Sequence, residues 1–87
     1  MKWQVDWAQD VLDALTIYWL SSPDRNAVSA AQAQIDQWLA SDPHASAVPA
    51  SEGFFTVSRP PLRAVVEIDD PAKVVRVVGL SWLVEPP

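Results

Sequence analysis

Four cationic side chains, Arg59, Arg63, Lys73 and Arg76, fall in the last third of the sequence, among β-branched residues. Arginine carries a fixed fork of donors that matches phosphate and carboxylate oxygens. Arg63 and Arg76 on one exposed sheet face would therefore make a phosphate- or carboxylate-binding pair. The plainer alternative for Arg76 is a diagonal cross-strand contact with Glu67 at the surface. His44 is the only histidine, hence the one ready general-base candidate. No serine, aspartate or metal-ligand spacing around it supports a defined role, and a solvated loop residue accounts for it.

Asp6, Asp10, Asp13 and Asp36 invite a divalent cation. Three of them, however, lie at steps of four and three on the outer side of one helix, the pattern of a solvated face. There is no cysteine, no Gly-rich phosphate loop, no Ser-His-Asp arrangement and no zinc spacing. Hydrolase and nucleotide-binding classes have no support, and neither a metal nor a small-molecule cofactor is expected.

Five tryptophans are many for 87 residues. Trp19 and Trp38 lie on apolar helix stripes and are expected in the core. Trp3, Trp7 and Trp82 sit at strand or helix edges and are the candidates for a partner-binding surface, since aromatic anchors dominate many interfaces.

These side chains must be positioned by a small frame. With 87 residues, 49% of them hydrophobic, residues 1–87 make a single domain with one modest core and no room for a deep private cavity. The net charge is −5, and it is unevenly placed. Lys2 and Arg25 face Asp6, Asp10, Asp13, Asp24, Asp36, Asp42 and Glu52 in the N-terminal part, whereas cations and carboxylates balance in residues 53–87. An acidic protein repels phosphate at long range, so nucleic-acid affinity requires the four cations to converge. The N-terminal residues lack the apolar run of a signal peptide, and no stretch approaches the roughly 20 apolar residues of a membrane span. A soluble cytoplasmic protein is expected.

Residues 2–5 alternate as a short strand, and Asp6 with Gln9 forms a capping-box-like pair. Ala8, Val11, Leu12, Leu15, Tyr18 and Trp19 then recur at helical steps. Ser21-Ser22-Pro23-Asp24 interrupts that helix and caps a second through Ser22 or Asp24, with Val28, Ala31, Ile35, Trp38 and Leu39 as its stripe. The two form an antiparallel hairpin. Ser41-Asp42-Pro43 ends the second helix, and the segment to Glu52, rich in Ala, Ser and Pro, reads as a mobile surface loop. Residues 54–58, 62–68 and 74–83 read as strands of an antiparallel meander. With Ile68 opposite Lys73, the face of Leu62, Ala64, Val66 and Ile68 joins Val75 and Val77 beneath the helices, leaving Arg63, Glu67 and Arg76 outside. The fold class is α+β.

Strand, helical hairpin and meander in this order resemble the RelE/ParE superfamily of toxin–antitoxin toxins. The local sequences that carry the resemblance are Ile35-Asp36-Gln37-Trp38-Leu39 followed by Asp42-Pro43, the central-strand-like stretch from Pro61 to Asp69 with Arg63 after a small turn, and Val74 to Gly79 as the last core strand. The resemblance implies a toxin-type component of a type II toxin–antitoxin module, associated with plasmid stabilisation, that binds a cognate antitoxin. It also implies two further possible partners: the ribosome with its mRNA, for an endoribonuclease with Arg63 as catalytic phosphate anchor and Arg59, Arg76 and Lys73 as further phosphate or RNA contacts, or DNA gyrase, for a ParE-like inhibitor. Ribonuclease members place basic residues, and often a histidine or tyrosine, just after the last strand for proton transfer and charge stabilisation. Here Leu80-Ser81-Trp82-Leu83-Val84-Glu85-Pro86-Pro87 offers none, so the nuclease centre reads as incomplete, with Arg63 alone matching a family position.

Overall fold

The computed structural model describes residues 2–82. It comprises β1 (Gln4–Trp7), α1 (Gln9–Ser21), α2 (Arg25–Ser41), α3 (Pro43–Ser46), β2 (Val48–Ser51), β3 (Phe54–Arg59), β4 (Leu62–Asp69) and β5 (Val74–Trp82). The five strands form one sheet in the order β1-β5-β4-β3-β2. Strands β2 to β5 run as antiparallel neighbours, and β1 closes the far edge parallel to β5, with Val5 beside Val75 and Trp7 beside Val77. The α+β class, the N-terminal strand, the helical hairpin and the meander are as the sequence leads one to expect. Leu83, included in the expected last strand, lies outside the described residues.

One face of the sheet supplies Val57, Leu62, Ala64, Val66, Val75 and Val77, all buried beneath the helices. Helix α2 answers with Val28, Ala31, Ile35 and Leu39, each fully buried. Their 3.6-residue stripe lies on the β4–β5 valines, and alternation along β4 sends every second residue into the same core. Helix α1 is seated more lightly: only Val11 is buried, and Leu15 and Tyr18 are half-buried against the core.

Several expectations need correction. Helix α1 begins at Ala8 without a side-chain cap, because Asp6 is still in β1, where its carboxylate accepts from Gln4 Nε2 (3.1 Å). Asp24, by contrast, does cap α2, accepting from the Ala27 amide. The segment expected as a mobile loop carries structure: Asp42 caps the short α3 by accepting from the Ala45 amide, Pro43 occupies its first turn and is buried, and β2 adds to β3 as the other sheet edge. Pro49, Ala50 and Ser51 hid that strand, since proline and small polar residues are poor strand signals.

The β4–β5 register also differs. Ile68 pairs with Val75 rather than Lys73, a two-residue shift that leaves the side chains from Val74 to Val77 on their expected faces. Asp69 accepts from the Ala72 amide and Lys73 takes φ 57, so the connection is a four-residue turn closed by a left-handed residue. Higher up, a bulge at Val78 separates the Val66–Val77 pair from the Val65–Gly79 pair. The extra residue reverses the alternation, so that Leu80 and Trp82 rather than Gly79 and Ser81 turn toward the helices. At Gly79 a Cβ would make only ordinary contact with Val65. The β3–β4 turn is tight, with Arg59 pairing Leu62 across a cis Pro60–Pro61 bond.

Candidate functional site

The strand register distributes the four cations rather than gathering them. Arg76 and Arg63 are both exposed on the outer sheet face. Arg76 stands between Asp6 on β1 and Glu67 on β4, directly paired with each in the register. A phosphate approaching Arg76 would meet two carboxylates as well. Glu67 is thus opposite Arg76 and not diagonal to it, although no ion pair forms between them among the described residues.

Arg63 lies four residues back along β4 from that row, about 13 Å at strand rise. Its cross-strand neighbours are Ser58 and Ser81, so its surroundings are hydroxyl-rich and free of carboxylate in the register. Arg59 shares the face of Leu62, opposite to that of Arg63, and donates from Nη1 to the Pro60 carbonyl (3.1 Å). Lys73 is at the other end of the sheet, its Nζ 4.7 Å from the Trp3 ring centroid. These are four separate environments, and only that of Arg63 suits an anion.

His44 occupies a defined place rather than a solvated loop. It sits on α3 and its Nε2 lies 2.6 Å from Asp70 Oδ1 in the β4–β5 turn. Trp3 and Phe55 approach the ring edge-on at 5.8 and 6.2 Å. Asp70 lies in the turn after β4, and nothing in the local sequence pattern joins it to a residue twenty-six positions earlier. Arg63 is remote from Asp70, which lies seven positions on, just past the end of β4, roughly 23 Å at strand rise. Among the described residues no group of three or more His, Asp or Glu side chains is arranged to hold a metal.

The tryptophans divide differently from expectation. Trp3, Trp7 and Trp82 are half-buried and engaged: Trp3 with His44 and Lys73, Trp7 through Nε1 donating to Asp36 Oδ1 (2.9 Å), and Trp82 against Tyr18 at 5.0 Å. Asp36 therefore has an acceptor role on the core side and is not simply part of a solvated face. Tyr18 in turn donates to the Leu80 carbonyl, tying α1 to β5. Trp38 is half-buried against the core, but Trp19, expected inside, is exposed and donates to Ser29 Oγ beneath the Arg25 guanidinium. Among the described residues the most exposed large apolar side chains are Ile17 and Val48 at 62% and Leu20 at 56%. Ile17 and Leu20 were missed, although their spacing sets them apart from the Val11–Leu15–Tyr18 stripe.

A groove of about 190 Å³ between α1 and α2 is lined by Leu15, Thr16, Trp19, Val28, Ser29 and Gln32. Small-molecule sites start at about 300 Å³, so this groove is undersized for a substrate. No helix among the described residues is long and apolar enough to cross a membrane.

No family model matches the sequence, and no curated protein matches it. Solved structures do match. The chain superimposes on the RelBE2 toxin–antitoxin complex of Mycobacterium tuberculosis with a TM-score of 0.78 at 16% identity, covering 94% of this chain and 92% of that one. It also matches an arginine-to-alanine double mutant of Escherichia coli toxin RelE in the free state (TM-score 0.68, 13% identity, 94% and 84% covered). The isolated E. coli RelE toxin matches at a TM-score of 0.60 and 15% identity, with 97% and 87% covered. The helical hairpin on a five-stranded sheet, with β1 parallel to β5, is a RelE-like fold.

Proposed function

We propose that the protein is the toxin-type component of a type II toxin–antitoxin module, acting in the cytoplasm by tight binding of a cognate antitoxin, with an incomplete nuclease centre. The observation that carries this reading is the RelE-like topology of the sheet, on which Arg63 stands between Ser58 and Ser81 with no acidic or basic residue paired to it in the register. Cleavage through a 2′-hydroxyl needs a proton acceptor, a proton donor and positive charge at one phosphate. Arg63 supplies the charge on the outer sheet face, His44 is engaged by Asp70 at the β4–β5 turn, and Arg76 is hemmed by Asp6 and Glu67. Binding asks less of the molecule. The exposed Ile17, Leu20, Val48 and Phe54 offer apolar surface for a second chain.

Expression from the native operon tests the reading, because a cognate antitoxin should copurify in stoichiometric amount. Recovery of the protein alone, monomeric, with tryptophan fluorescence unchanged by candidate antitoxins, would refute it. A ParE-like inhibition of DNA gyrase is the second reading. The net charge of −5 favours it over an RNA target, since a protein–protein role needs neither catalytic groups nor phosphate attraction. Induced expression with separate readouts of growth, RNA integrity and DNA supercoiling assigns the target.

A further inference from the structure

Helix α1 carries a stripe that the fold does not use. Asp10, Asp13, Ile17 and Leu20 follow at steps of three, four and three, which at about 3.6 residues per turn places them within roughly a quarter of the helix circumference. All four are exposed, on the side opposite the inward Val11, Leu15 and Tyr18. The stripe is divided: its first half is acidic, its second half apolar. Asp13 accepts from Gln9 Nε2, and neither aspartate has a cationic partner among the described residues. Ile17 and Leu20 are 62% and 56% exposed, so a continuous strip some 15 Å long, at 1.5 Å per residue, faces away from the rest of the fold.

The charge pattern decides what can cover this strip. A second copy of the chain fits badly. Laid parallel, it would set Asp10 and Asp13 against their own equivalents; laid antiparallel, it would press those carboxylates onto Ile17 and Leu20, burying charge without a partner. A partner helix with lysine or arginine at one end of its face and leucine-like residues at the other meets neither penalty. We infer that the outer face of α1 is a docking surface for a basic amphipathic helix of a partner protein, its cations over Asp10 and Asp13 and its apolar residues over Ile17 and Leu20. This deepens the proposed antitoxin binding and rests on it for the identity of the partner, while the chemistry of the surface can be tested alone.

The probes are two synthetic fourteen-residue helical peptides on an alanine-glutamine scaffold. Both carry two leucines on one face; one carries two lysines at the next positions of that face, the other two glutamates. Titrated into isotope-labelled full chain at low salt, the lysine peptide shifts the amide resonances of Asp10, Asp13, Ile17 and Leu20 and binds about tenfold more tightly than the glutamate peptide. The double substitution Asp10→Lys with Asp13→Lys reverses that preference, and Ile17→Ser with Leu20→Ser weakens both peptides, while the melting temperature holds because none of the four residues is in the core. Equal binding of the two peptides, or shifts confined to surfaces other than α1, overturns the inference. Copurification of an antitoxin whose contacts avoid α1 also overturns it and leaves the proposed function standing. Selective lysine-peptide binding without any operon partner sustains it and counts against the antitoxin reading.

Discussion

His44 and Asp70, far apart in the sequence, meet Nε2 to Oδ1 at 2.6 Å and bind the short helix α3 to the β4–β5 turn. Both side chains are about half exposed, 48% and 60%, so solvent screens the pair. A double-mutant cycle with His44→Ala and Asp70→Ala, measured by chemical denaturation, is expected to give a coupling of about 0.2–1 kcal/mol. A coupling indistinguishable from zero would show that the two residues do not act together.

Core positions should respond far more strongly. Leu39 and Val66 are fully buried where α2 lies on β4, and truncation removes packing while leaving a cavity. Leu39→Ala or Val66→Ala should each lower stability by about 2–4 kcal/mol. An unchanged melting temperature in either variant contradicts the placement of the helix on the sheet.

Lys73 closes the β4–β5 turn at φ 57, a left-handed conformation that a Cβ disfavours. Comparing Lys73→Gly with Lys73→Ala isolates the backbone effect, because both lose the contact with Trp3. The glycine variant should be the more stable by about 0.5–1 kcal/mol, the relief of the left-handed strain being partly offset by glycine's unfolded-state freedom. Alanine equal to or better than glycine would rule out the left-handed turn.

How far the sequence discloses this molecule depends on whether a feature is local. The stripe of α2 and the alternation of β4 are legible because burial imposes periods of 3.6 and 2 on residues close in sequence. The bulge at Val78 is not legible, since Val77-Val78-Gly79 reads as an uninterrupted strand until its partner is known. The contacts of His44 with Asp70 and of Trp7 with Asp36 join distant segments and leave no local mark. Trp19 misled because the apolar stripe of α1 is broader than the surface that covers it. Of the candidate site, the exposed position of Arg63 could be inferred from alternation. The dispersal of the other cations required the register, which sets Asp6 and Glu67 beside Arg76 and turns Arg59 to the other face.

Arg63 is exposed between Ser58 and Ser81, so its side chain should matter for anions and little for folding. Any RNA affinity is expected to be weak and strongly salt-dependent, with a log–log slope of about −0.7 per phosphate contacted. Arg63→Ala should abolish that affinity with a melting temperature close to wild type. Binding that survives Arg63→Ala but is lost in Arg76→Ala would move the anion site to the Asp6–Glu67 row.

The proposed toxin with an incomplete nuclease centre is tested most directly by mapping mRNA ends in a purified translation system. Wild-type protein added to translating ribosomes should give no codon-specific cuts, or cuts barely above the level without it. Robust codon-specific cleavage by the wild type, lost in Arg63→Ala, would contradict the claim and place Arg63 at the centre of a working nuclease.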